Sequence, residues 1–252
     1  MSATIAAEWL KLRSMRGTAL SLAMVAIGVG LTALLAWYVG QQWDAATPPQ
    51  RAQASIVPLE HLTTEIVQMA MGVLGVLAAT AEYADGTLRL TLLASPRRGR
   101  LVAAKALVVG VVAALAGGTA VLTTYRVTPL IMEGRGIAGL TDPADPRTRW
   151  MLLAWALVVP MVALSGLGLG LCLRSGAGAI TVLALVLYVV PILAQVIPGP
   201  AGLWIRSVLP GALPLQLSGK GTANSVYRDL LGPGGAAVAM LAYPGVLLGA
   251  GL

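Results

Sequence analysis

The chain has 252 residues, 57% of them hydrophobic and only 11% charged, with a mean hydropathy of +0.82. Soluble domains carry roughly one-quarter charged residues, so this composition excludes a water-soluble globular protein. The formal charge of +7 invites a nucleic-acid reading, but the basic residues stand between long apolar runs, as lipid headgroups and topology require, and no nucleic-acid partner is expected.

Residues 1–17 place Ile5, Trp9 and Leu12 at helical spacing with Glu8 and Lys11 off that face. That pattern predicts an interfacial amphipathic helix, Trp9 at headgroup depth and Lys11 and Arg13 toward anionic lipid. The plainer alternative is a basic anchor ahead of the first span. A membrane-crossing helix needs about 20 mostly apolar residues. Six runs meet that need: Thr18 to Val39, Leu62 to Tyr83, Leu101 to Tyr125, Trp150 to Leu173, Ala177 to Ile197, and Gly235 to Leu252. The first is too long for a signal-peptide core and no small-residue cleavage site follows it, so it is expected to remain in the mature protein.

With the N-terminus inside, the inner segments, taken with Glu82 at the end of the second span and Lys105 near the start of the third, hold nine basic and three acidic residues. The outer ones, taken with Glu65 near the start of the second span, hold eight basic and seven acidic residues over about twice the length. The density of charge beside the spans therefore puts the N-terminus in the cytoplasm of a multi-pass protein of the inner or plasma membrane. Between the second and third spans, Asp85 or Thr87 caps a short helix that Pro96 ends, with Leu88 and Leu92 on one face. The alternative there is a solvated turn whose basic cluster only sets topology. The outer connection 198–234 mixes five prolines with Trp204, Ile205, Val208 and Leu209. It is expected to form short re-entrant or interfacial helices. Pro160 and Pro191 fall inside the fourth and fifth spans, as kinks or as packing residues.

Motifs for chemistry are sparse. Around Ser218-Gly219-Lys220-Gly221-Thr222 the phosphate-loop spacing fails, because Pro214 stands where Gly is required and Gly221 where Ser or Thr is required. Gly166-Leu167-Gly168-Leu169-Gly170 lies within an apolar span and reads as a close-packing face. Cys172 reads as a small core residue, and His61, the one histidine, excludes a His-pair zinc site. Ionisable residues well inside the spans are nearly absent, which disfavours an ion-coupled carrier. Glu82, at the inner end of the second span, either pairs with Arg89 or Lys105 or snorkels to water. A membrane-embedded enzyme would need convergent polar groups, whereas Glu65, Gln68, Ser165, Tyr188 and Gln195 are scattered over three spans.

Taken together, Glu8-Trp9-Leu10-Lys11-Leu12-Arg13-Ser14, then Glu82-Tyr83-Ala84-Asp85-Gly86-Thr87-Leu88-Arg89, Ser95-Pro96-Arg97-Arg98 with Lys105, and Leu209-Pro210-Gly211-Ala212 carry a resemblance. The chain resembles the permease subunits of second-type ATP-binding-cassette exporters, in particular actinobacterial drug and antibiotic permeases. The resemblance implies an all-α integral membrane protein, a single permease domain over residues 1–252. It has six transmembrane helices, an N-terminal elbow helix (1–17), a cytoplasmic coupling helix (within 84–100) and re-entrant external helices (198–234) before the last span. It implies Glu8, Trp9, Lys11, Leu12 and Arg13 in the elbow. Glu82, Asp85, Gly86, Thr87, Leu88, Arg89, Leu92, Pro96, Arg97 and Arg98 belong to the ATPase-coupling region. Partners implied are cytoplasmic ATPase subunits, which hold ATP and Mg while this chain binds no cofactor and is not itself an enzyme, a second permease copy, and membrane lipid. Export of an amphipathic or hydrophobic compound by alternating access, along a path lined by the first, second and fifth spans, follows from the same resemblance. A charged cytoplasmic tail usually follows the sixth span in that family, and none stands in this sequence. Readings of other classes are a membrane immunity or signalling protein without transport and, more remotely, a membrane-embedded enzyme.

Overall fold

The structure is a computed structural model that describes residues 2–53, 59–84, 98–132, 135, 146–218 and 231–251. Among these residues every regular element is helical. A helix over Ser2–Ser14 precedes six helices long and apolar enough to cross a membrane: Arg16–Ala45, Leu59–Ala84, Arg98–Ile131, Pro146–Leu173, the broken helix Gly176–Val196, and Gly232–Ala250. A short helix, Pro48–Gln53, follows the first span. All six spans anticipated from hydropathy are present, and the first, third and fourth run several residues further than the apolar runs. Backbone hydrogen bonding favours continuing a helix past the hydrocarbon into the polar zone, where side-chain polarity no longer matters.

The second and fourth spans run parallel at the centre and make the most extensive contact in the molecule. Glycine permits it. A Cβ on Gly75 would collide with the Ala163 carbonyl oxygen, and one on Gly166 with that of Gly72, so the two backbones touch without side chains between them. The glycine run 166–170 is thus a packing face: Gly170 lies against Ala79 and Val76, and Gly168 against Leu247 of the last span. Val67, Met71, Leu74, Val162 and Leu167 fill the remaining space. Across the first three spans, the hydroxyls of Thr32, Thr63 and Thr124 form a buried chain, Thr63 lying 2.8 Å from Thr32 and 2.9 Å from Thr124.

The fifth span is interrupted by a π turn at Leu185–Val189, closed by Val190 N–H reaching back to the Leu185 carbonyl. Pro191 follows at once. It lacks an N–H and its ring would clash with the preceding turn, and the wider π turn absorbs that mismatch. Pro160 lies within an uninterrupted helix. Beyond the fifth span, Gly199–Val208 and Leu213–Ser218 form two short helices joined by Leu209-Pro210-Gly211-Ala212. Gln216 clips them together: its amide donates to the Ser207 carbonyl at 2.6 Å, and its oxygen accepts from Leu231 N–H at 3.2 Å. Cys172 departs from the core reading. It is exposed at the end of the fourth span, its Sγ 3.5 Å from the Leu247 carbonyl, because the span's inward face there is taken by glycines.

Candidate functional site

At the end of the bundle where the N-terminal helix lies, four charged side chains close a ring. Lys11 Nζ donates to Glu8 Oε1 at 2.9 Å and to Glu82 Oε1 at 2.8 Å, and Lys105 Nζ donates to Glu8 Oε2 at 2.6 Å and to Glu82 Oε1 at 3.2 Å. Charges alternate around the ring and sum to zero. Glu8, Glu82 and Lys105 are buried, and Lys11 is partly open to the outside. Taking such charges out of water is costly, and the cost is offset only when each has opposite partners at hydrogen-bond distance, as here. Burial pulls the Lys11 ammonium down, but the hydrogen bonds and charges of Glu82 and Glu8 outweigh it and hold its pKa above 10.5.

Local sequence explains the ring. In the helix Ser2–Ser14, Ile5, Glu8 and Leu12 fall three and four residues apart on one inward face, while Trp9 is about half exposed. This corrects the sequence reading of that helix, which set Trp9 on the apolar face and Glu8 and Lys11 off it. Glu8 is an inward residue because Lys105 waits for it across the interface. Leu12 sits beneath, and its carbonyl accepts from the Thr18 hydroxyl, fixing the bend into the first span.

The ring has a second consequence of position. Glu82 stands in the last turn of the second span and Lys105 in the second turn of the third, so both flanks of the intervening connection are tied to the N-terminal helix. Of the residues assigned to coupling, Glu82 is in the ring, now with Lys105 and Lys11 as partners. Asp85, Gly86, Thr87, Leu88, Arg89, Leu92, Pro96 and Arg97 lie outside the described residues, and Arg98 opens the third span. Arg13 follows the ring residues on an exposed face of the N-terminal helix.

A groove of about 430 Å³ runs between the first, second and fifth spans, walled by Leu20, Met24, Ile66, Met69 and Val73 and capped by Tyr188. A second apolar cleft of about 480 Å³ lies between the fourth, fifth and sixth spans beside Pro210, with Tyr243 hydrogen-bonded to the Val208 carbonyl at 2.8 Å. Around Glu65, next to Tyr188, the fold assembles polar residues that looked scattered in the sequence. Tyr188 donates to the Glu65 carbonyl at 2.8 Å, Gln68 donates to the Glu65 carboxylate at 2.6 Å, and His61 Nε2 stands 3.6 Å from it. Ser165 and Gln195 are not part of this group: Ser165 bonds within its own helix to the Met161 carbonyl, and Gln195 is exposed. The signal available in the sequence was the helical spacing of His61, Glu65 and Gln68 along one side of the second span. Tyr188 could be found only through the packing of the fifth span.

Compared with known proteins, the chain matches no family model and no curated protein.

Proposed function

We propose that this chain is the membrane-spanning permease subunit of a second-type ATP-binding-cassette exporter, working as a homodimer with separate cytoplasmic ATPase subunits. The observation that carries the reading is the Glu8–Lys11–Glu82–Lys105 ring. A motor pressing on the connection between the second and third spans needs that connection braced on both flanks, so that force moves helices instead of flexing a loop. The ring supplies the brace, and through Glu8 and Lys11 it passes displacement on to the N-terminal helix, which serves as the elbow. Within this reading the connection faces the cytoplasm. Leu88 and Leu92 dock in a motor groove, and Arg89, Arg97 and Arg98 meet acidic residues around it. The short helices before the sixth span take the re-entrant role at the outer face. The groove between the first, second and fifth spans is the half of the path that one copy provides, completed by a second copy. This chain contributes no phosphate-binding loop, so ATP hydrolysis belongs to the partner.

Affinity purification of the tagged chain from its native membranes tests the reading. The expected result is a stoichiometric ATPase subunit retained with it. A single-component particle, under mild conditions that preserve other membrane complexes, overturns the proposal and leaves an immunity or signalling role.

A further inference from the structure

We propose that residues Val190 to Val208 form a hinged strap at the end of the bundle remote from the charged ring. It pivots on the π turn of the fifth span and on the turn that follows Val208, and Tyr188 and Tyr243 latch it in its present position. Such a strap works with or without an attached motor, so it stands apart from the exporter reading.

The fifth span packs unequally along its length. Its first part, Gly176–Ala184, lies against the second and fourth spans, with Leu183 seated on Gly72 of the second. Beyond the π turn, Val190–Val196 has its main contacts with the turn itself and with the short helix Gly199–Val208. Ile192, Leu193 and Val196 are each more than half exposed. A segment with few contacts to the rest of the fold opens at low free energy, and the π turn marks where those contacts thin out. The turn is weakly secured as well. Pro191 has no N–H to give it, and the wider bond from Val190 N–H to the Leu185 carbonyl closes it.

What lies past the turn is stiff. Gly199, at a φ of +79°, turns the chain sharply where a side chain would be strained. Gly202 then sets backbone on backbone: a Cβ there would collide with the Ile197 carbonyl oxygen and stand 3.2 Å from that of Ala194. The end of the fifth span and the short helix after it therefore move as one corner. The far end of that corner is anchored. Leu209, Ala212 and Leu213 are buried, and Leu213–Ser218 packs on the fourth and sixth spans. A stiff piece between two joints is free to swing as a body.

The latches are two tyrosines, one at each joint. Tyr188 donates to the Glu65 carbonyl at 2.8 Å, and Tyr243 to the Val208 carbonyl at 2.8 Å. Gln216 adds a further grip on the far joint through the Ser207 carbonyl. The Glu65 carbonyl keeps its helical N–H partner when Tyr188 leaves, so release costs little more than one neutral hydrogen bond. The joints also wall the cleft of about 480 Å³, with Val186 and Leu187 at the first and Val208 and Pro210 at the second. Swinging the strap therefore widens or narrows the mouth of that cleft.

Val196 lies about 10 Å along the helix from the π turn, so a swing of about 30° carries it about 5 Å. The test measures distances between spin labels by double electron–electron resonance, using the full chain in lipid nanodiscs. Cys172→Ala is the parent, and labelled copies are diluted among unlabelled ones. Cysteines introduced at Val196 and Leu122, both exposed, report strap against third span, and a control pair at Thr181 and Leu107 reports the packed part of the fifth span against the third. The strap pair is expected to show two distances about 5 Å apart, and the control pair one. Tyr188→Phe and Tyr243→Phe are each expected to raise the minor strap population over the major roughly fivefold, the ratio that one neutral hydrogen bond supports. Pro191→Leu, which returns an N–H to the turn, is expected to lower it. An unchanged control distance certifies that each variant is folded. A single narrow strap distance in the parent and in both tyrosine variants overturns the inference. A control pair that broadens as much as the strap pair also overturns it, since the span would then move as a whole, and so does a strap distribution indifferent to Pro191→Leu.

Discussion

The second and fourth spans are built from the same small apolar alphabet as the first, fifth and sixth, yet the two groups live in different surroundings. In the central pair, 61% and 56% of the most apolar stretch is buried in the protein, against 22%, 22% and 17% in the first, fifth and sixth. Hydropathy does not separate them, for the fifth span is the most apolar of all and among the least covered. Composition fixes that a helix enters the membrane, and the placement of glycines and polar side chains fixes which neighbour it meets there. Trp37 and Tyr38 on the first span and Val238 and Leu241 on the sixth stand more than half exposed, a surface for lipid or for a second copy.

The sharpest way to break this contrast is to put a side chain where the backbones touch. Gly75→Leu is expected to lose the folded protein, at a cost above about 4 kcal/mol, because the collision is with main chain and cannot be relieved by a rotamer. Gly30→Leu on the first span, where nothing stands within 4 Å, is expected to fall within about 0.5 kcal/mol of the unaltered chain. The two are compared by the temperature at which detergent-solubilised protein ceases to be monodisperse.

Next in size are the charges. Lys105→Met leaves Glu8 and Glu82 sharing Lys11 alone and is expected to destabilise by about 3 kcal/mol, the penalty of a buried charge stripped of a partner. Lys105→Met combined with Glu8→Gln is expected to cost less than the sum of the two single changes, and simple additivity would show that the ring is not a unit. The hydroxyl chain is the milder device: Thr63→Val removes two interhelical bonds at about 1 kcal/mol, since polar contacts between spans are individually modest. A loss as large as that of Lys105→Met would mean that the three threonines bind the first three spans to one another as strongly as the ring binds the N-terminal helix to the second and third.

The smallest effect is a pH dependence. The folded protein holds the Lys11 ammonium above its ordinary 10.5, so the stability it contributes is fully present below that value and is lost only as pH rises through the raised one. Melting followed from pH 7 upward is therefore expected to show no Lys11-dependent change until strongly alkaline pH, and Lys11→Met is expected to remove that alkaline limb. A Lys11-dependent loss near pH 8 would contradict the ring geometry.

Much of the architecture was legible because the bilayer demands it: twenty apolar residues in a row admit few structures besides a crossing helix. Glu82 with Lys105 was one of the pairings the sequence offered, beside Arg89 and a plain turn toward water, because the two charges flank one connection. The inward turn of Glu8 was not, since a carboxylate at helical spacing from Ile5 and Leu12 reads as the polar side until its lysine is placed opposite. The grouping of Glu65 with Tyr188 was hidden for a related reason. The residues are 123 positions apart, and a π turn, for which Pro191 was the sole sequence hint, sets the meeting.

The central claim is that the braced connection between the second and third spans receives a motor. The measurement that tests it most directly is ATPase retention by the unaltered chain and by a Leu88→Asp, Leu92→Asp variant, purified side by side from native membranes and checked for equal membrane insertion. The account predicts a stoichiometric ATPase with the first and its loss from the second, because two carboxylates would enter a desolvated contact. An ATPase held equally by both, or by neither, would contradict it.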